Sequence, residues 1–485
     1  MAARRALSAI AALTLLAACA PPPPRAPEPA PDLRPLIEAA LVQPGEPVPG
    51  ERLAEPGELA RFYAGRAYQP AWLSGDGLPR ESLSDLRRGV EAAARHGLRP
   101  EAYRAALLSQ LEGWPRTFDA RRLAQLDLLL SDAFLHLART LSTGAVDPRS
   151  LHPGFERAGS APPDPSVALA SALAGAQVAE TLEQLAPPHA EYAALVRALE
   201  RLRAASATGD PAAGPRADRV RANLERWRWL PRELGHRHLR VDTPGYTLRA
   251  FEAGEAVLAM RVVVGDVEWQ TPLAYGVVSQ LVLNPAWVVP KSIATREMLP
   301  AVRADPDYFT SKGIQVLVNA HGTLLEVDPA LIDWQTIAVE GFPFWLRQPP
   351  GPRNPLGSIK FLFPNVHDVY LHGTPSHAAF NRPMRTLSHG CVRVEDEIAL
   401  AAFALAPDPE WLPAKIRKSL RDAQQQRVRL RNPLPVYLLY FTVSADAGQR
   451  AVFRDDPYGW DRALIEALDA AAAPPRQGDP AAAPE

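Results

Sequence analysis

The sequence predicts a multidomain α+β protein, in which an α-helical domain precedes a mostly β domain carrying a lid insertion. Three observations predict it. The chain has 485 residues, too many for one ordinary core. From about Pro49 to Arg203 apolar residues recur at helical spacing, and beyond about residue 237 they alternate. The apolar fraction of 47% and charged fraction of 22% suit folded globular domains. A net charge of −1 gives no footing for a nucleic-acid binder.

The N-terminus opens with Arg4 and Arg5, followed by an apolar run from Ala6 to Ala18. That run is shorter than the roughly 20 residues a spanning helix needs. Its layout of basic start, short apolar core and small residues predicts a secretory signal over 1–19. Leu16-Ala17-Ala18-Cys19 resembles a bacterial lipobox, which makes Cys19 the expected lipidation site. The expectation is therefore a periplasmic, membrane-anchored lipoprotein of a Gram-negative bacterium. "APPPPRAPEPAPDLRP" follows, and a Pro-rich tether is expected over 20–50.

The helical domain is expected over 51–205. Between Arg121 and Thr143, apolar residues at 123, 126, 130, 134, 137 and 141 share one face, and Gly144 and Pro148 supply the stop. "LSDLRRGVEAAARHGLRPEAY" reads as a further helix ended by Gly97 and Pro100. His96 and His136 are assigned to helix surfaces or core contacts. "SATGDPAAGPRAD" predicts a linker at 206–218, before the short basic-aromatic helix of "VRANLERWRWLP". The β domain is expected over 219–445, with strands in "HLRVDTPGYTLRAFEAGEAVLAMRVVVGD", "GVVSQLVLNPAWVVP", "SIKFLFPN", "DVYLHGTP" and "PVYLLYFTVSAD". A helical piece and Gly/Pro-rich loops at about 291–357 predict the insertion. A C-terminal extension over 446–469 and a disordered tail over 470–485 complete the chain.

Only two cysteines are present, Cys19 and Cys391. If Cys19 carries lipid, Cys391 has no disulfide partner and remains a sole exported thiol, exposed to oxidation. Isolated cysteines are commonly small buried hydrophobes, so chemistry at Cys391 needs a base and a field favouring the thiolate. His372 ends a predicted strand nineteen residues earlier, and two such strand ends can face each other across a sheet edge. Gly390 permits a tight turn that brings backbone N–H groups toward an oxyanion, and Arg393 suits a substrate carboxylate. His372, His377, His389 and Cys391 match no common zinc spacing, so no metal site is expected.

His372, fifteen residues, then Ser388-His389-Gly390-Cys391-Val392-Arg393 resembles the signature of YkuD-type L,D-transpeptidases. "VVVGDVEWQTPL", "LNPAWVVPKSI", "QPPGPRNPLGSIKFLFPN" and "FRDDPYGWD" are similar to the large YcbB-like subfamily, as are "FYAGRAYQPAWLSGDG" and "LLLSDAFLHLARTLSTGAVDP" in the helical half. The resemblance implies a peptidoglycan enzyme that joins tetrapeptide stems, with cell-wall synthases as partners and no cofactor. It implies Cys391 as nucleophile, His372 as acid/base partner, and Arg393 as a carboxylate anchor or loop support. Tyr370, Ser388 and Gly390 would shape the pocket, with His389 a structural support. It also implies acylation of Cys391 by carbapenems. L,D-carboxypeptidase activity, lipoprotein–peptidoglycan linking or unlinking, and a non-catalytic wall scaffold are the alternatives. Two departures stand out: Gly373 where subfamily members often carry Asp, and no recognisable peptidoglycan-binding module before "NLERWRWLP".

Overall fold

The computed structural model describes residues 31–472, apart from 44–45, 75–77, 79, 112–117, 160, 447 and 449. The expected signal segment, Cys19, most of the tether's proline run and all but the start of the tail lie outside the described residues.

Among the described residues, nine α-helices form the N-terminal half: α1 (Arg34–Val42), α2 (Pro56–Gly65), α3 (Ser82–Ala92), α4 (Ala105–Gln110), α5 (Ala120–Thr143), α6 (Pro165–Gly175), α7 (Val178–Leu185), α8 (Ala190–Ala207) and α9 (Ala213–Arg228). The central one is α5. Asp119 caps it by accepting the Arg122 N–H at 2.8 Å, and Gly144 ends it with φ of 101°. Its inner face carries Asp127, fully buried, which accepts from the Tyr63 hydroxyl (2.5 Å) and the backbone N–H groups of Ala71 (2.8 Å) and Trp72 (2.9 Å). Asp127→Ala strands three buried donors, and urea unfolding is expected to show a loss of about 3 kcal/mol; a loss below about 1 kcal/mol would contradict this account.

Two boundary expectations are corrected. The 20–50 tether contains α1, because Leu33, Ile37 and Val48 are apolar enough to bury in the helical core. The expected 206–218 linker shrinks to a turn at 208–212, because 206–207 belong to α8 and 213–218 to α9. The helical core also takes in Tyr437, Leu439, Phe441 and Val443 from the β domain, so the two halves share one apolar interior. Buried pairs Arg228–Glu225 (2.7 Å) and Arg226–Asp461 (2.6 Å) flank this junction. Asp461 belongs to the C-terminal helix Trp460–Ala471, which packs on α9 and runs past the expected end of the extension at 469. No described helix is long and apolar enough to cross a membrane.

The β domain follows as β1 (Arg237–Asp242), β2 (Thr247–Glu252), β3 (Glu255–Gly265), β4 (Ala274–Leu283), β5 (Trp287–Val288), β6 (Gln315–Ala320), β7 (Thr323–Val327), β8 (Phe344–Gln348), β9 (Ile359–Leu362), β10 (Leu371–His372), β11 (Thr386–Ser388), β12 (Val392–Val394), β13 (Gln426–Leu439), β14 (Val443–Ala445) and β15 (Ala451–Phe453). The large sheet runs β11-β3-β12-β10-β9-β4-β13-β1-β2, and β2 also pairs with β3, closing a ring of eight strands with β11 appended. Alternate residues such as Leu281, Phe361, Leu371 and Val392 fill the core, together with Leu400 and Ile416 from the helices that follow β12.

Strands β5, β8, β6 and β7 form a separate four-stranded sheet. It has its own core, including Leu299, Phe309, Val316, Trp334 and Leu346. The insertion is thus a folded subdomain rather than a helix with loops, and its helical stretch contains a π-turn at Ala294–Met298.

Candidate active site

Strand register assembles the site. Leu371 pairs with Val392 and His372 with Arg393 in parallel ladder, so β10 and β12 are interior neighbours rather than strand ends across a sheet edge. Because side chains alternate, Leu371 and Val392 enter the core while Tyr370, His372, Cys391 and Arg393 take the other face. Lys360 joins them, paired with His372 from β9.

Cys391 is half-buried on this face. Burial pushes its thiol above the ordinary cysteine range. Hydrogen bonds from the Tyr370 backbone and hydroxyl and the charges of Lys360 and Arg393 pull the other way. Burial outweighs these opposing influences, so the thiol rests protonated beside Tyr370. The Tyr370 ring lies 5.6 Å from the His372 ring, and the Lys360 ammonium sits 3.5 Å from the Tyr370 ring centroid.

His372 is buried, and desolvation with the neighbouring Arg393 charge lowers its pKa to about 3. The imidazole is neutral throughout the physiological range. Its Nδ1 lies 2.6 Å from the Gly373 carbonyl, which only accepts, so the ring proton sits on Nδ1 and Nε2 keeps its lone pair. Arg393 is half-buried, its pKa lowered by desolvation, and forms no ion pair among the described residues.

The turn before Cys391 is braced from several elements. Gly390 has φ of +100°, while a Cβ there would meet nothing nearer than 3.6 Å; backbone conformation, not space, demands glycine. The Thr271 hydroxyl donates to the Gly390 carbonyl (2.8 Å), and the buried Ser388 hydroxyl donates to the Cys391 carbonyl (2.5 Å). The backbone N–H groups of His389, Gly390 and Cys391 make no hydrogen bond with any described residue. His389 points away to the lid, bonded to Glu297 of the π-turn and packed 5.7 Å from the Trp269 ring. Arg296 covers the same indole at 5.1 Å. At Gly373 a Cβ would lie 2.6 Å from the Glu397 carboxylate, so an aspartate there would displace a buried acid.

The structure brings Cys391, His372, Arg393, Tyr370, Gly390 and Ser388 together, with His389 at the rim. His377 lies on a separate turn beside Phe380, and the loop residue His367 lies against Gly154 of the helical half. Sequence reasoning missed Lys360, although it lies in the quoted "SIKFLFPN" and is one of only five lysines; it also missed Glu297 and Thr271.

A helical domain packed against a β domain, with ionisable side chains gathered on one sheet face beside a lid, is the architecture of an enzyme whose helical half braces the half that carries the site. Residues 57–199 match the family model described as a scaffold domain, and residues 236–417 match the L,D-transpeptidase catalytic domain. A protein of Haemophilus influenzae named "Putative L,D-transpeptidase" is 30% identical over 408 residues, covering 84% of this chain and 78% of that protein. The chain belongs to the L,D-transpeptidase family.

Proposed function

We propose that this enzyme forms 3→3 cross-links in peptidoglycan through a thioester on Cys391. The observation that carries the proposal is the neutral His372, its Nε2 free to accept a proton, on the same sheet face as the protonated Cys391 thiol. Nε2 takes the thiol proton, and the sulfur attacks the carbonyl between diaminopimelate and terminal D-Ala of a donor stem. The unpaired N–H groups of Gly390 and Cys391 receive the oxyanion. His372 then returns the proton to the departing D-Ala amine. The side-chain amine of diaminopimelate in a second stem displaces the thiolate, and the amine's proton passes back through His372. Arg393 anchors a substrate carboxylate, and the lid, tied to the catalytic turn by Glu297–His389, limits water.

Water as acceptor would give L,D-carboxypeptidase activity, and a protein amine would give lipoprotein attachment. Incubation with disaccharide-tetrapeptide separates the readings by mass. Cross-linked dimer with loss of D-Ala is expected. Tripeptide monomer alone would replace transfer with hydrolysis, and no thioester or product would leave a scaffold.

The enzyme is further proposed to reside in the periplasm, held to a membrane by lipid on Cys19. Cys19→Ala is expected to move it from the membrane fraction to the soluble fraction; an unchanged distribution would refute the anchor.

A further inference from the structure

The catalytic face does not end at Lys360. Pairing aligns Arg393, His372, Lys360, Val282 and Arg427 in one row across β12, β10, β9, β4 and β13. Residues in one cross-strand row share a face, at about 4.8 Å per strand. The lid closes over the far end of the row, where Val288 of β5 pairs with Arg347 of β8. Between them lies a cavity of about 260 Å³, bounded among others by Trp287, Val288, Arg347, Lys360, Tyr370 and Arg427.

The charge of this cavity is one-sided. Its lining holds three cations and no aspartate or glutamate. None of the three forms an ion pair among the described residues, whereas most described arginines near the domain junction do. The acid felt by Lys360, Asp368, stands outside the lining. Three like charges around one concavity repel one another and attract an anion. Two come from the sheet and one from the lid, so an anion bound there would also bridge the two. The cavity starts at Tyr370 and Lys360, whose charge reaches the Cys391 thiol. It extends to Arg427 two strands further, roughly 10 Å across the sheet, which an extended peptide spans in about three residues.

We propose that Arg347, Lys360 and Arg427 form a carboxylate subsite that holds the donor peptide by a free carboxylate two or three residues from the scissile bond. The inference rests on the transpeptidase reading of Cys391, and its test is arranged to separate the two. Tetrapeptide binding is measured by calorimetry on the full chain carrying Cys391→Ala, which needs no chemistry. Adding Arg427→Gln or Arg347→Gln is expected to raise Kd at least tenfold, while Arg427→Lys restores most of the affinity. Amidating that peptide carboxylate should cost the Cys391→Ala protein a similar factor and cost the Arg427→Gln form little more. Equal affinities with and without the arginines, or an amidation penalty unaltered by Arg427→Gln, overturn the subsite. In parallel, the wild-type thiol is acylated by the peptide and the D-Ala released is followed. Arg427→Gln should raise the half-saturating peptide concentration about tenfold while the maximal rate changes less than threefold. Arginine-dependent binding without acylation would keep the subsite and reject the thioester.

Discussion

Cys391→Ala is expected to abolish transfer, lowering the rate of D-Ala release from tetrapeptide by about 10⁴-fold or more, the scale seen when a catalytic nucleophile is removed. The expectation follows from what surrounds the sulfur. Among the described residues Cys391 is the sole thiol, it faces the lid side of the sheet, and the other candidate nucleophiles of its turn are Ser388 and His389, the latter turned away to Glu297. The Ser388 hydroxyl is buried and donates to the Cys391 carbonyl, which leaves it no route to a substrate. The variant should fold normally, because the turn depends on Gly390, Thr271 and Ser388 rather than on the sulfur. Intact-protein mass after exposure to tetrapeptide or a carbapenem should show an adduct on the wild type and none on the variant. An adduct retained by a folded Cys391→Ala protein would place the chemistry elsewhere.

The second large effect concerns His372. Its replacement by alanine should slow acylation by about 10²–10⁴-fold, the usual worth of a positioned general base. A more diagnostic result is the pH profile of the wild type. An ordinary imidazole with a pKa near 6.5 would be about half protonated there, and a base of that kind loses activity as pH falls from 7 to 5. Here burial and Arg393 hold the pKa at about 3, so protonation begins only well below pH 5. The rate of acylation at low peptide concentration should therefore fall less than twofold between pH 7 and 5, with the acid limb lying nearer 3. Arg393→Gln removes the cation that opposes His372 protonation and should move that limb upward. Alkylation by iodoacetamide reports the thiolate and should behave differently. It should be slow at pH 7 and rise about tenfold per pH unit to beyond 9, because burial raises the Cys391 pKa. An acid limb near pH 6.5 would sink this account of the site.

Much of this organisation was legible in the residues. The helical period of α5, its stop at Gly144, and the change to alternation after α9 are local signals, set by propensity and by which side chains must leave water. The signature at Ser388–Arg393 with His372 is likewise local, since a turn needing positive φ at Gly390 writes itself into a few consecutive residues. What failed was local in appearance only. A proline-rich composition hid α1, whose stability comes from burying Ile37 in a distant core, and a Gly/Pro run hid the short α8–α9 turn.

Residues read along the chain were enough to point to a helical half before a β half, to the family, and to Cys391 and His372 as the candidate thiol and imidazole. Tertiary structure alone decided their protonation, because desolvation of His372 and Cys391 depends on what the fold stacks above them. It also decided the company they keep. Lys360, Arg427 and Arg347 lie up to 80 residues apart, and only the register of β9, β4 and β13, with the lid's β8 laid alongside, brings their charges around one cavity. Charge interactions act through space and carry no sequence period, so no reading along the chain could have found them.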